Sequence, residues 1–142
     1  VTCVRNRAGE MADELHLGKI LGDGPPGTGC PVIASVSGTD LALIVTEPTV
    51  SGVHDMERVL ELAAHFRVPA LVVINKADLN AEQAERIVQI AEQRKSRVIG
   101  RIPFDRSVND ALMAGKTVIE YGASAAAEAI LGIWKEVQRM LK

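Results

Sequence analysis

The sequence predicts an α/β fold: a parallel β-sheet with helices on both faces. Three observations carry that prediction. Four short runs, residues 19–22, 41–46, 70–75 and 97–102, are rich in aliphatic and β-branched side chains without polar alternation, as strands buried on both faces are. Their ends, taken at Asp23, Thr46, Asn75 and Ile102, lie 23 to 29 residues apart, room each time for a crossover helix. The segments between them carry apolar residues at helical spacing. A repeated β–α unit of this kind closes into a sheet covered on both sides.

Each element has its own signals. Residues 1–14 read as a helix, and Gly18 and Gly22 flank the first strand. Pro31 suits the first position of a short helix ending near Gly38. Between 52 and 66, Val53, Met56, Val59, Leu60, Ala63 and Phe66 form one stripe, with Thr49 or Ser51 as the cap. Asn80 with Gln83 resembles a capping box for a helix to about Arg94. Ser107 with Asp110 caps a short helix that Gly115 closes. The last helix starts near Ser124, with Ile130, Ile133, Trp134, Val137 and Leu141 along one side. Asp55 and Arg58, three apart, read as a surface pair. No internal repeat or linker interrupts the chain.

The 142 residues make one domain or part of one. A hydrophobic share of 47% against 24% charged supports a packed, aliphatic core. A net charge of −2 and 3% aromatics argue against direct nucleic-acid binding. Cys3 and Cys30 alone make neither a disulfide scaffold nor a four-thiolate site. No apolar run approaches the ~20 residues of a membrane span, and no signal peptide is evident, so a cytoplasmic setting is expected. The start at Val1 rather than Met suggests an excised fragment.

Ligands of parallel sheets bind beyond the strands' C-terminal ends, so the chemistry is sought there. The first end reads Gly22-Asp23-Gly24-Pro25-Pro26-Gly27-Thr28-Gly29-Cys30-Pro31. Gly24 to Gly29 imitates a phosphate loop, but Cys30 and Pro31 stand where G-x-x-x-x-G-K-[ST] needs its Lys and Ser/Thr, so that reading fails. Gly115-Lys116-Thr117 fails too, as no strand precedes it. Asp23 at a strand end can hold Mg²⁺ through water, and the glycines after it let backbone approach a phosphate. The plain alternative is a turn in which Asp23 bonds local N–H groups. The second end, from Val45 to Gly52, is a strand-to-helix loop.

The third end reads Asn75-Lys76-Ala77-Asp78. An N-K-x-D tetrapeptide after a buried strand is a nucleobase signature. The Asn amide bonds a purine edge, the Lys stem packs on its face, and the Asp accepts from guanine N1 and N2 hydrogens. The alternative is a turn leading to the Asn80 cap. At the fourth end, Ile102-Pro103-Phe104-Asp105, Phe104 either walls a base pocket or folds into the core. His16, His54 and His65 show no ligand spacing.

Together these segments resemble the MinD/ParA group of P-loop ATPases, and most of all the subfamily with an inserted ferredoxin-type (4Fe-4S) domain. The matching text is Asp23-Gly24-Pro25-Pro26-Gly27, Gly29-Cys30-Pro31-Val32-Ile33-Ala34-Ser35, Val45-Thr46-Glu47-Pro48-Thr49, Ser51-Gly52, His54-Asp55 and Arg58-Val59-Leu60. Asn75-Lys76-Ala77-Asp78-Leu79-Asn80 and Ile102-Pro103-Phe104-Asp105 complete it, collinear over nearly the whole chain.

The resemblance implies a three-layer, P-loop NTPase-like (Rossmann-like) fold lacking the Walker A strand. It implies a Walker B, Mg²⁺-facing role for Asp23 and a γ-phosphate switch at Gly27, with Gly24 and Pro25 beside the nucleotide. It places Asn75 at the adenine edge, with Lys76, Asp78, Pro103 and Asp105 around the base. It further implies a nucleotide-sandwich homodimer that binds ATP and Mg²⁺. The family's two-lysine Walker A loop and the ferredoxin cysteines are not among the 142 residues. Residues 1–142 therefore read as the C-terminal half of such an ATPase, inactive alone, with any 4Fe-4S clusters elsewhere in the parent. The alternatives are a non-catalytic binding module and a GTP-binding protein.

One consequence concerns the sheet. In the resembled fold the Walker A strand lies between the strand ending at Asp23 and the one ending at Thr46; without it those neighbours would stand about 9–10 Å apart. The expectation is one continuous sheet of 41–46, 70–75 and 97–102 in sequence order. Residues 19–23 then pair with 41–46, or fray, or leave the gap to a second copy of the chain.

Overall fold

A computed structural model of the chain describes residues 2–27 and 29–141. Its elements run α1 (Thr2–Glu14), α2 (Cys30–Val36), β1 (Ala42–Thr46), α3 (Val50–His65), β2 (Ala70–Asn75), α4 (Ala81–Gln93), β3 (Arg97–Ile102), α5 (Arg106–Met113), α6 (Val118–Tyr121) and α7 (Ala125–Met140). The strands form one parallel sheet in the order β1-β2-β3. The expected α/β fold and the sequence-order sheet are both observed.

Residues 19–25 are the exception. They take no regular structure, with Ile20 and Leu21 exposed, so the expected first strand is corrected to an irregular, unpaired segment. The reason is the ladder: a strand without a neighbour leaves its N–H and C=O groups to water, and the flanking glycines make that state easy to reach. Of the outcomes anticipated for this segment, pairing with residues 41–46 is not observed.

The core is organised about β2, whose Leu71, Val72, Val73 and Ile74 are all buried. Alternation along the strand sends Val72 and Ile74 toward Val53, Met56 and Leu60 of α3 and Ala84 and Ile87 of α4. Val73 points the other way, to Ile133 and Val137 of α7. A smaller cluster of Val32, Val36, Ala63 and Val68 fastens α2 to the foot of α3. Arg5 donates to the carbonyl of Ser37, tying α1 to the end of α2.

The helix starts follow the caps. Thr49 Oγ1 accepts from Gly52 N–H, Asn80 Oδ1 from Gln83 N–H, and Ser124 Oγ from Ala127 N–H. The α5 cap differs from the expectation. Asp105, not Ser107, sits at the N-cap, and its carboxylate accepts from Ser107 N–H at 2.9 Å. A short helix missed by periodicity, α6, starts at Thr117 with a reciprocal capping box to Glu120. On α7, Ile133 and Val137 are buried, whereas Trp134 and Leu141 are exposed. Asp55 does not pair with Arg58; it lies 4.0 Å from His54 Nδ1.

Between Val72 and Val73 the β2–β3 register slips, so that Val98 and Gly100 are the partners and Ile99 is the extra residue of a bulge. A Cβ at Gly100 would stand 2.2 Å from Ile133 Cγ1. The close approach of α7 to the sheet thus depends on a missing side chain. Gly100→Ala is expected to destabilise the fold by about 1–3 kcal/mol through overpacking. Chemical denaturation checks this, and a variant as stable as wild type would show that α7 yields freely.

Candidate functional site

Parallel pairing brings the C-terminal ends of all three strands to one side of the sheet. At the end of β1, buried Thr46 donates its hydroxyl to Gly52 O at 2.9 Å, so strand end and helix start are joined directly. Gly52 permits this, since a Cβ there would lie 2.4 Å from Glu47 O. The next residue, Glu47, meets Lys76 Nζ at 2.8 Å across the ends of β1 and β2. Lys76 itself is left-handed, with φ +52°, a strained conformation for a residue with a Cβ.

The ends of β2 and β3 are tied twice. Ala77 N–H donates to Ile102 O at 2.9 Å, and Phe104 N–H donates to Asp78 Oδ1 at 2.7 Å. Beside these ties lies an open depression of about 290 Å³ lined by Ala77, Asp78, Arg101 and Pro103. Half-buried Asn75, the last residue of β2, precedes it. Arg101 is held at 2.8 Å by Glu85 of α4. Phe104 is about half exposed: it neither enters the core nor belongs to the lining.

Asp105 anchors the far side of this loop. Its Oδ1 accepts from Ser107 N–H, and its Oδ2 accepts from Ala126 N–H at 3.2 Å, joining the starts of α5 and α7. The Ser107 side chain, then the Ser107 and Ala126 N–H groups, hold this carboxyl below the usual carboxylate range. The Ser107 hydroxyl lies outside hydrogen-bond geometry, so the two N–H bonds are the firm part of that stabilisation.

The sequence-predicted residues thus fall into two groups. Asn75, Lys76, Asp78, Pro103 and Asp105 gather at the ends of β2 and β3. Asp23, Gly24, Pro25 and Gly27 belong to the irregular segment before α2. There Gly24 stands against Ser35, which would lie 3.7 Å from a Cβ, and Gly27 has φ +88°. Among the described residues no hydrogen bond or ion pair joins that segment to the strand ends. Thr28 lies outside the described residues.

Sequence reading missed Ala77 and Arg101. Arg101 pairs with Ile74 in the ladder, and the available signal was a charge at the penultimate position of an apolar strand.

No family model matches the chain. Among curated proteins, an uncharacterized protein of Methanocaldococcus jannaschii is 34% identical over 138 residues, 97% of this chain and 45% of the relative. An iron-sulfur cluster carrier protein of Pyrococcus abyssi is 28% identical over 134 residues, 84% of this chain and 45% of the relative. The MinD cell division protein of Aquifex aeolicus superposes with TM-score 0.76 at 25% identity, covering 93% of this chain and 58% of that one. The septum site-determining protein MinD of Pyrococcus horikoshii, complexed with Mg-ADP, gives TM-score 0.73 at 21% identity over 92% and 55%.

The chain has the fold of MinD-type ATPases.

The chain spans about half the length of the curated relatives it matches. Its own residues can be set against the groups such proteins use. At the strand ends, the open depression presents Ala77 and Pro103 together with the charged Asp78 and Arg101. For Mg²⁺, Asp23 is a single exposed carboxylate, and no group of three or more His, Cys, Asp or Glu among the described residues could hold a metal ion. An iron–sulfur cluster needs about four thiolates, whereas Cys3 and Cys30 are both free and exposed. By themselves the described residues assemble neither a metal site nor a cluster site. No described helix is long and apolar enough to cross a membrane.

The Asp105 anchor carries a pH signature. A carboxyl whose folded pKa is depressed stabilises fully above its unfolded value of about 3.9, and that stabilisation is lost as the pH falls through the folded value. Asp105→Asn is thus expected to melt below wild type near neutral pH, with the gap closing below about pH 4. Thermal unfolding midpoints across that range check this; a gap independent of pH would contradict it.

Proposed function

We propose that residues 1–142 form the C-terminal half of a MinD/ParA-type ATP-binding protein, contributing the nucleobase pocket and the switch segment to an ATPase site. The observation that carries this reading is the depression at the ends of β2 and β3, lined by Ala77, Asp78, Arg101 and Pro103 next to Asn75. In this reading Asn75 bonds the purine edge, and Asp105 fixes the loop that bears Pro103. Asp23 is the Walker B carboxylate, bound to Mg²⁺ only when triphosphate oxygens and a phosphate loop complete the shell. Gly24, Pro25 and Gly27 form the switch, where left-handed Gly27 lets backbone N–H groups turn toward a γ-phosphate.

The parent acts as a cytoplasmic homodimer around ATP and Mg²⁺. The name of the Pyrococcus relative supports a link to iron–sulfur handling, with any cluster held by cysteines outside this chain. Ferredoxin-type cysteines in the parent would fit the same link.

The test separates base from phosphates. A chain that contributes the base pocket without a phosphate loop should bind ADP within about threefold of adenosine, because the phosphates gain few contacts. It should not hydrolyse ATP, because the donors that neutralise transition-state charge are not in it. Calorimetric titration and a phosphate-release assay read both. Mg²⁺-dependent hydrolysis by the isolated chain, abolished in Asp23→Ala, would overturn the assignment.

A further inference from the structure

The N-K-x-D segment poses a question that the base pocket alone does not answer: which of its side chains is free to meet a base. Two of the three are already engaged. Lys76 Nζ is held at 2.8 Å by Glu47, which follows β1. The strand order places β1 and β3 on opposite sides of β2, so this ion pair lies on the side away from the β2–β3 depression. Asp78 does line the depression, but its Oδ1 accepts the Phe104 N–H at 2.7 Å. That bond, with Ala77 N–H to Ile102 O, ties the loop after β2 to the loop after β3 at two points. Pro103, the other wall of the depression, lies between Ile102 and Phe104, the two β3-side residues that these bonds hold.

We infer that Asp78 acts on this pocket as a positioning residue, pinning the loop that carries Pro103. The inference rests on the nucleobase reading of the depression. The Phe104 N–H fills one acceptor site of the Asp78 carboxylate, and that bond holds the loop that carries Pro103. In the proposed reading the base contact is made by Asn75, whose amide both donates and accepts.

The test uses the ¹⁵N-labelled chain with adenosine and guanosine as probes, in wild type, Asp78→Asn and Asp78→Ala. Two quantities are read by NMR: hydrogen exchange of the Phe104 amide without ligand, and nucleoside affinity from amide shifts. Asp78→Asn keeps an oxygen acceptor for Phe104, so it should hold both quantities within about threefold of wild type. Asp78→Ala removes the acceptor and should speed Phe104 exchange and weaken adenosine about three- to tenfold, the range of one lost hydrogen bond. A wild-type guanosine preference that Asp78→Asn abolishes would overturn the positioning role. So would adenosine binding unchanged in Asp78→Ala. A wild-type chain that binds neither nucleoside would instead fail the pocket reading, and the positioning role would fall with it. If Asp78→Ala does not fold, Asp78→Asn alone decides, since a base-reading carboxylate cannot be replaced by an amide without loss.

Discussion

The structure depends on one strand. β2 is covered on both faces and paired on both edges, so every other element is placed by what Leu71, Val72, Val73 and Ile74 require. Burying those four side chains stabilises the fold by roughly 1.5–3 kcal/mol each, before the entropy of ordering the chain is counted. Because both neighbours run parallel to β2, both connections must cross over through a helix, and all three strands must end on the same side. The clustering of Glu47, Lys76, Asp78, Pro103 and Asp105 is therefore a consequence of core packing. The chemistry at the strand ends inherits its geometry from a hydrophobic constraint several residues away.

The two edges of the sheet are not equivalent. β3 is covered by α7, with Gly100 allowing Ile133 to press close. β1 is covered on one face only: Ile44 and Thr46 are buried, whereas Leu43 and Val45, which point the other way, are 40% and 59% exposed. No strand among the described residues pairs with its outer edge. The irregular stretch before α2 is the counterpart of that open edge. It has the composition of a weak strand, with Ile20 and Leu21 exposed, and it pairs with none of the three strands. Strand character is a property of a pair, and one run of apolar residues does not supply its partner.

The same distinction explains what was legible in the sequence. The three paired strands could be read because their signal, a β-branched run between turn residues, is local. So could the helices capped by Thr49, Asn80 and Ser124, where donor and acceptor lie three residues apart. Asp105 was harder. Ser107 looked like the cap, yet Asp105 wins because its second oxygen also meets Ala126 N–H, twenty-one residues along the chain. A cap shared by two helices is invisible to local pattern. At the site, the sequence brought forward Asn75, Asp78 and Pro103 but not Ala77 or Arg101, whose place in the depression follows from the β2–β3 register and its bulge. The sequence also placed Asp23 through Gly27 at a strand end, and there it assumed a strand that needs a neighbour.

The central claim is that the purine sits at the ends of β2 and β3. Photolabelling with 8-azidoadenosine, followed by peptide mapping of the adducts, tests it most directly. The account predicts adducts within residues 75–78 and 101–105, competed away by unmodified adenosine. Adducts confined to residues 19–31, or scattered over the surface and indifferent to competitor, would contradict it.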